Sequence, residues 1–346
     1  MTKELIERFK RIRTARFLSS GPSRKYAFVG MGQHSLGNLY PVLDYLNVPL
    51  KYICVTSEDK ARLIARRYPS VRAVTSLDEI LSDSEVAGVF VAASPSVHFS
   101  IASQVLGSGK ALFIEKPPCS SLEELLALKQ LCSAGKPIFE AGLQKRYAPA
   151  VGKLLGRLSS DRPSHYSLRY RTGAYPEGNP LLDLYIHPLD LVSYLFGEAE
   201  LLCCETSPDS SLLLVLAHPG GVRGTLELST SGSWASAGES LRVTSKAGEY
   251  LLEGMDTLCF HPGSRKIAGI PLEKTGLSSE RIHYLYSRNG FNPVVADNQI
   301  VSSGYFGELK AFVDAAEGGR NRIVTSIDDI IPTYRLLDKI TQRQCR

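Results

Sequence analysis

Lys116 stands at the end of an apolar run, a position from which a charged side chain can act on a bound ligand. Lys116 follows Glu115 directly after the run Ala111–Ile114, and two prolines come next. The run reads as a short buried strand, and the prolines prevent its continuation. Open α/β sheets bind ligands beyond the carboxyl ends of their strands, which is where this lysine falls. The alternative is a solvated strand end.

A second segment, NPLLDLYIHPLDLVSYLFG, carries an aspartate and a histidine at helical spacing. Asp183 and His187 are four residues apart, so an α-helix would present both on one face, with Asp190 one turn further on. Histidine titrates near neutrality and can serve as a general acid or base. Such a pair can also bind a metal, but no further ligand cluster is evident, so no metal site is expected.

The first half of the chain predicts a doubly wound parallel sheet that would position Lys116. Short apolar runs alternate with helical patterns, which is typical of βαβ units. The runs are Tyr26–Gly30, Leu50–Val55, Val71–Val74, Ala87–Ala93, Ala111–Ile114 and Pro137–Gly142. We therefore expect about six strands in an N-terminal Rossmann domain, 1–143. This domain begins with an amphipathic helix over 1–20, which comes before the first strand. Leu5, Phe9, Ile12 and Phe17 would form the apolar face of that helix.

The second half, 144–346, predicts an α+β domain with a largely antiparallel sheet. Strand-like runs follow one another with few helical stretches, and HPGG at 218–221 and KAGE at 246–249 are hairpin signals. Helices are expected at 181–196, at 305–317 and near the C-terminus. The poorly periodic stretch 264–304 suggests a long loop. A sheet with one face to cover predicts a homodimer or homotetramer formed through that face.

The first strand ends in a glycine turn that indicates dinucleotide binding. Gly30 would allow the tight bend, and Gly32 would let the backbone approach a pyrophosphate. The third glycine of this motif is missing, because Ser35 occupies its position and Gly37 comes two residues later. The turn residues Gln33, His34 and Ser35 join the predicted cofactor site.

The end of the second strand bears on which dinucleotide binds. Thr56 and Ser57 stand where NAD-specific proteins usually carry an acid, and these small hydroxyls suit the 2′-phosphate of NADP better. A strand that ends two residues later would instead make Glu58 the ribose acid. The prediction is NAD(P), with NADP favoured over NAD.

Composition excludes several classes of function. The net charge of +5 comes from Lys and Arg spread along the chain, which argues against nucleic acid as the main partner. No apolar run reaches about 18 residues, so no membrane span is expected. Seven cysteines form no C-x-x-C pair, and the N-terminus lacks an apolar export core. A cytoplasmic protein acting on a small molecule is the expectation.

Taken together, these segments resemble the glucose-fructose oxidoreductase/inositol dehydrogenase (Gfo/Idh/MocA) family of NAD(P)-dependent oxidoreductases. The resemblance covers nearly the whole chain. It is carried by the glycine turn and by SPSVH, GKALFIEKP, RYAP, DLYIHPLDL and GYFGELKAFVDAAEGG. A Glu-Lys-Pro followed by D-x-x-x-H in this order is a specific combination, whereas either motif by itself is weak.

The resemblance implies roles for the residues singled out above. Lys116 and His187 would flank the reacting carbon, with Asp183 completing a triad and Glu115 holding the lysine. The peptide after this lysine is often cis in the family. The remaining cofactor contacts would come from Ser94, Pro95, His98, Glu115 and Lys116, with His98 either structural or a wall of the nicotinamide pocket. The substrate would meet Lys116, Arg146, Tyr147, Tyr185 and His187.

The predicted function is hydride transfer between a nicotinamide cofactor and a sugar, amino-sugar or cyclitol, including nucleotide-linked sugars. Lys145, Arg169 and Arg171 are candidates for binding an anionic tail on such a substrate. Two alternatives stay open. One is a cofactor-binding regulator of the same fold without catalysis, and the other is a reductase of a non-sugar imine or carbonyl.

Overall fold

A computed structural model describes residues 2–19, 21–208, 211–276, 281–291 and 294–344. The described residues form two large sheets. The first contains six strands, and every neighbouring pair in it is parallel. These strands are β1 Lys25–Val29, β2 Leu50–Cys54, β3 Arg72–Val74, β4 Val86–Val91, β5 Ala111–Glu115 and β6 Phe139–Gly142. Their order is β3-β2-β1-β4-β5-β6, so the predicted doubly wound sheet is confirmed.

Helices follow these strands where their patterns predicted. They are α2 Tyr40–Tyr45, α3 Glu58–Arg67, α4 Asp78–Leu81, α5 His98–Gly107 and α6 Leu122–Gly135, after an N-terminal α1 Thr2–Ser19. The hydroxyl of Ser121 caps α6 by accepting the Glu124 N–H at 3.2 Å. A π-helical turn, Ser35–Leu39, lies between the glycine turn and α2.

The second sheet contains eight described strands and is antiparallel except where β7 pairs with β10. Its strands are β7 Pro163–Gly173, β8 Glu200–Thr206, β9 Leu212–Ala217, β10 Arg223–Gly232, β11 Gly238–Ser245, β12 Gly248–Glu253, β13 Thr257–Pro262 and β16 His283–Ser287. Both predicted hairpins are confirmed, since β9 pairs with β10 and β11 with β12.

The stretch predicted as a long loop contains short elements. They are β14 Lys266–Ile267, β15 Ile270–Pro271, β16 and α9 Gln299–Ser302. The two-residue strands β14 and β15 are too short to produce a periodic pattern, and β16 is largely exposed, so it lacks the continuous apolar run of a buried strand. The other helices of the second half are α7 Pro149–Leu158, α8 Ile186–Phe196, α10 Tyr305–Ala316 and α11 Ile327–Gln344, and a π-helical segment, Leu181–Tyr185, precedes α8.

The apolar core divides along the two faces of the first sheet. On one face, Phe90 and Phe113 pack against Phe312 of α10, with ring centroids 5.0 and 6.0 Å apart. On the other face, α5 and α6 join a continuous core with α8, α11 and the second sheet. A helix from the second half of the chain thus covers one face of the first sheet.

The amphipathic pattern of α1 lies on an exposed helix. Leu5, Phe9 and Ile12 are 60, 64 and 58% exposed. The side chain of Phe17 lies outside the described residues, as does Cys345. No helix among the described residues combines the length and the apolar content needed to cross a bilayer.

Candidate active site

Lys116 lies directly beyond β5, and its amine reaches the segment that carries Asp183. Its Nζ donates a hydrogen bond to the Asp183 carbonyl oxygen. The Lys116–Pro117 peptide is cis. Burial lowers the pKa of this amine, while the negative charges of Glu115 and Asp183 act in the opposite direction. The structure therefore brings Lys116 to the π-helical segment that directly precedes the helix of His187.

Glu115 holds the main chain of the lysine rather than its ammonium group. One carboxylate oxygen accepts the Lys116 backbone N–H at 3.2 Å, and the other lies 3.1 Å from Nε2 of His34. The Asn38 amide lies 3.1 Å from Nδ1 of His34 and donates to it, which makes Nε2 the protonated nitrogen. Glu115 thereby joins the glycine turn to the end of β5.

His187 is the second residue of α8, and its ring is shielded from water on one side. Its Nδ1 is buried and has no hydrogen-bond partner among the described residues. Burial, helped by the positive charges of Lys116 and Lys145, holds the pKa of this imidazole well below its usual range. His187 is therefore neutral at pH 7 and able to accept a proton.

The carboxylate of Asp183 binds the loop that precedes it. Oδ2 accepts the Asn179 N–H at 2.9 Å, and a Cβ placed on Gly178 would lie 2.3 Å from the same oxygen. Burial raises the pKa of the Tyr175 hydroxyl, and its hydrogen bond to Asp183 adds to the effect. Asp183 lies in a π-helical turn, so the α-helical four-residue rule does not apply to it and His187. The carboxylate instead holds the loop before it.

His98 links the two strand-end loops beside the site. Its Nδ1 lies 2.7 Å from the Pro117 carbonyl and its Nε2 lies 2.9 Å from the Ala93 carbonyl. Burial lowers the pKa of the ring, and both carbonyls oppose that shift. Ser94 and Pro95 are exposed in the turn that follows β4. Of the two roles considered for His98, these contacts favour the structural one.

The glycine turn forms a cradle that fits a pyrophosphate. Gly30 has φ +88°, and a Cβ there would lie 2.4 Å from the Ala92 carbonyl oxygen. A Cβ on Gly32 would meet nothing within 4 Å, so space is open beside this backbone. Gln33 is exposed and Ser35 is buried. The π-helical turn absorbs one extra residue where the third glycine is missing.

Two residues with hydroxyl groups follow the end of β2. The strand ends at Cys54, Thr56 is exposed, and Ser57 caps α3 by accepting the Lys60 N–H at 3.4 Å. Glu58 is the first residue of α3, and its carboxylate accepts the Thr75 hydroxyl at 2.9 Å. The strand therefore ends at Cys54 rather than two residues later, and the Glu58 carboxylate is bound to Thr75.

Arg146 and Tyr147 serve the architecture, in contrast to the predicted contact with substrate. Arg146 binds the Asp190 carboxylate through two nitrogens at 2.8 and 2.7 Å, and both side chains are almost fully buried. It also donates to the carbonyls of Val324 and Asp329. The Tyr147 hydroxyl accepts the Val324 N–H at 3.0 Å. These contacts occupy both side chains.

Tyr185 contacts Tyr170, which in turn lies against a charged pair of which the sequence indicates only Lys145. Its buried ring meets Tyr170 edge-on at 6.3 Å, and the Lys145 ammonium lies 4.9 Å from the Tyr170 ring centre. Lys145 forms a 2.6 Å ion pair with Glu239, at side-chain exposures of 12 and 7%. Glu239 is 94 residues from Lys145 in the chain, and no motif marks it.

Arg169 and Arg171 lie on the opposite face of the second sheet. Along β7 the buried residues Tyr166 and Leu168 face α8, and the arginines alternate with them. Arg169 forms an exposed ion pair with Glu227 at 3.1 Å. They therefore do not face Lys145, which lies over Tyr170 on the other side of the sheet, and their contact with an anionic tail stays a prediction. Within the described residues, no group of three or more His, Cys, Asp or Glu side chains could hold a metal ion.

The strand order, the glycine cradle and the charged groups at the carboxyl ends of the strands define a Rossmann dinucleotide-binding protein. Residues 24–142 match the family model of the Gfo/Idh/MocA proteins, described as an oxidoreductase family with an NAD-binding Rossmann fold. The resemblance seen in the sequence is thereby confirmed, and residues 24–142 match the NAD-binding Rossmann domain of the Gfo/Idh/MocA oxidoreductases.

Individual relatives are distant. The chain is 28% identical over 184 residues to scyllo-inositol 2-dehydrogenase (NAD(+)) of Bacillus subtilis, covering 49% of this chain and 53% of that one. It is 26% identical over 200 residues to trans-1,2-dihydrobenzene-1,2-diol dehydrogenase of Bos taurus, covering 52 and 60%. The chain thus spans little more than half the length of these curated relatives. A dehydrogenase from Chromobacterium violaceum has the same fold, with a TM-score of 0.77, 22% identity, and 92 and 95% of the two chains covered.

We expect alanine at the two glycines of the turn to have different effects. Gly30→Ala should lower the melting temperature, because its Cβ meets the Ala92 carbonyl oxygen at 2.4 Å and φ is +88°. Gly32→Ala should leave the melting temperature unchanged but weaken cofactor binding, because its methyl group fills the open cradle. Thermal unfolding and calorimetric titration with NAD(H) and NADP(H) measure both effects. Unchanged cofactor affinity in Gly32→Ala would contradict the cradle assignment.

Proposed function

We propose that this protein is an NAD(P)-dependent dehydrogenase or reductase that acts on a CH–OH or C=O carbon of a sugar or cyclitol. The observation that carries the proposal is the hydrogen bond of Lys116 to the π-helical segment that leads into the helix of His187, together with the effect of the Lys116 charge on the pKa of His187. The names of two relatives support the substrate class, since one describes a cyclitol dehydrogenase and the other a cyclic diol dehydrogenase.

The cofactor would be held by residues at the carboxyl ends of β1, β2, β4 and β5. Backbone amides of the turn from Gly30 to Ser35 would face the pyrophosphate, and Thr56 and Ser57 the ribose. Ser94 and Pro95 would border the nicotinamide side, near Glu115 and Lys116. When bound, the nicotinamide ring supplies the site that accepts or donates a hydride.

His187 would accept the proton of the reacting hydroxyl, and Lys116 would donate a hydrogen bond to its oxygen. During oxidation the alcohol carbon loses its hydride, and the hydroxyl proton passes to the neutral His187 ring. Because burial holds the pKa of His187 below its usual range, the ring is unprotonated at pH 7 and has a nitrogen lone pair free for that proton. The Lys116 ammonium would donate a hydrogen bond to the same oxygen and stabilise its developing negative charge. In reduction both transfers run in reverse.

Asp183 would act on the site through the loop that precedes it. Its carboxylate binds the Asn179 N–H and the Tyr175 hydroxyl. Its carbonyl oxygen accepts a hydrogen bond from the Lys116 amine. Asp183 therefore would position Lys116 and the loop that carries Tyr175 and Asn179.

Substitution of either proposed proton-handling residue tests the mechanism. We expect Lys116→Met and His187→Asn each to lower kcat by about 10²- to 10⁴-fold, the usual contribution of a positioned acid or base. Steady-state kinetics on a polyol and sugar panel provide the measurement, and Lys129→Met, at an exposed ion pair with Asp328, is the control.

Full turnover in both variants would refute the mechanism. Cofactor binding without turnover of any polyol, sugar, imine or carbonyl by the wild-type protein would favour the regulator instead.

We further propose that NADP is the preferred cofactor, because Thr56 offers an uncharged hydroxyl where an acid would repel the 2′-phosphate. Calorimetric titration should show tighter binding of NADPH than of NADH. Thr56→Asp should reverse the order by repulsion of the phosphate. Tighter binding of NADH by the wild-type protein would show that this proposal is wrong.

The outer face of the second sheet is our proposed self-association surface. It carries Leu213, which is 53% exposed, beside the Arg169–Glu227 pair. Light scattering should give the mass of two or four chains, and Leu213→Glu should lower it by placing a charge in the interface. A single-chain mass for the wild-type protein would contradict the proposal.

A further inference from the structure

The ion pair between Lys145 and Glu239 borders the proposed active site. Glu239 on β11 is the register partner of Tyr170 on β7, so both side chains face the same side of the sheet. The Tyr170 ring meets Tyr185, which lies two residues before His187. The charge of Lys145 also acts on both Lys116 and His187. The pair therefore belongs to the surroundings of the reacting groups.

The two members of the pair keep unused hydrogen-bonding capacity. Oε2 of Glu239 binds Lys145 at 2.6 Å, while Oε1 is buried and has no partner among the described residues. An ammonium group has three N–H donors, and Glu239 takes one of them. A buried carboxylate oxygen without a donor costs free energy, which a bound hydroxyl group would recover.

The charges of the pair cancel, and this restricts what can bind. A carboxylate or phosphate would approach Lys145 but meet the Glu239 charge 2.6 Å away from it. An ammonium group would approach Glu239 but meet both Lys145 and Lys116. Two neighbouring hydroxyl groups satisfy both members without adding charge, since one donates to the carboxylate and the other accepts from the lysine.

We propose that Glu239 and Lys145 bind two adjacent hydroxyl groups of the substrate, and that the substrate is a neutral polyol. The proposal rests on the proposed function for the reaction that follows binding. It narrows the substrate class by excluding sugar acids, amino sugars and phosphorylated sugars at this position. Glu239, the ion-pair partner of Lys145, is the member of the pair that the sequence pattern does not reveal.

Binding measurements with matched probes test the pair separately from catalysis. The neutral probes are myo-inositol, D-glucose and D-galactose, with D-glucuronate as the anionic probe and D-glucosamine as the cationic one. Affinities are measured by calorimetry on the full chain saturated with the tighter-binding reduced cofactor. Glu198→Gln is the matched control, because this carboxylate forms an exposed ion pair with Arg335 at 2.9 Å on another part of the surface.

The wild-type protein should prefer a neutral probe. Glu239→Gln should weaken that probe by about tenfold, the usual loss for a hydrogen bond to a charged group, and should shift preference toward D-glucuronate. Lys145→Gln should shift preference toward D-glucosamine. It should also raise the pH at which His187 gains its proton, because it removes a positive charge that lowers the pKa of that ring.

Each result has a distinct meaning. Charge-dependent shifts in both variants, with Glu198→Gln unchanged and all variants melting near the wild-type temperature, support the pair. Wild-type preference for a charged probe, binding of no neutral probe, or variant affinities within about twofold of wild type would overturn it. Correct binding shifts without hydride transfer would refute the proposed function while leaving the pair intact.

Discussion

A buried ion pair between Arg146 and Asp190 fixes the parts of the active site relative to each other. Arg146 follows β6, while Asp190 lies on α8 three residues after His187. The Thr333 hydroxyl of α11 donates to the same carboxylate at 2.8 Å. Removing one partner of a buried pair typically costs about 3–5 kcal/mol of stability, because the other charge is left uncompensated. Lys145 and His187 therefore keep their positions through a contact that lies away from the substrate cleft.

Much of the fold follows from local patterns in the sequence. The strands of the first sheet lie within about two residues of their predicted ends, because buried parallel strands are continuous apolar runs bounded by breakers. The hairpins at 218–221 and 246–249 follow from glycine turns. Asp183 shows the limit of this reasoning. Its spacing from His187 predicts one shared α-helical face, but residues 181–185 form a π-helical turn and the carboxylate accepts the Asn179 N–H.

The contacts that complete the site join residues far apart in the chain, and spacing does not reveal them. Glu239 is 94 residues from Lys145, and strands β7 to β10 lie between them, so neither a motif nor periodicity could connect the two residues. The sequence suggests that Arg146 is available to a substrate, because the spacing of Asp190 shows its place on a helix but does not reveal its pairing with Arg146. In both cases the side chain's role depends on which group burial places opposite it.

Helix α10 makes the nucleotide-binding sheet dependent on chain that is synthesised much later. The aromatic face of that sheet, including Phe90 and Phe113, is covered by Phe312, which a ribosome adds about 170 residues after β6. During synthesis this face stays uncovered until α10 has been made, although domains tend to fold in the order in which they emerge from the ribosome. The cofactor cradle at the edge of the same sheet would therefore reach its final form only after both halves of the protein exist.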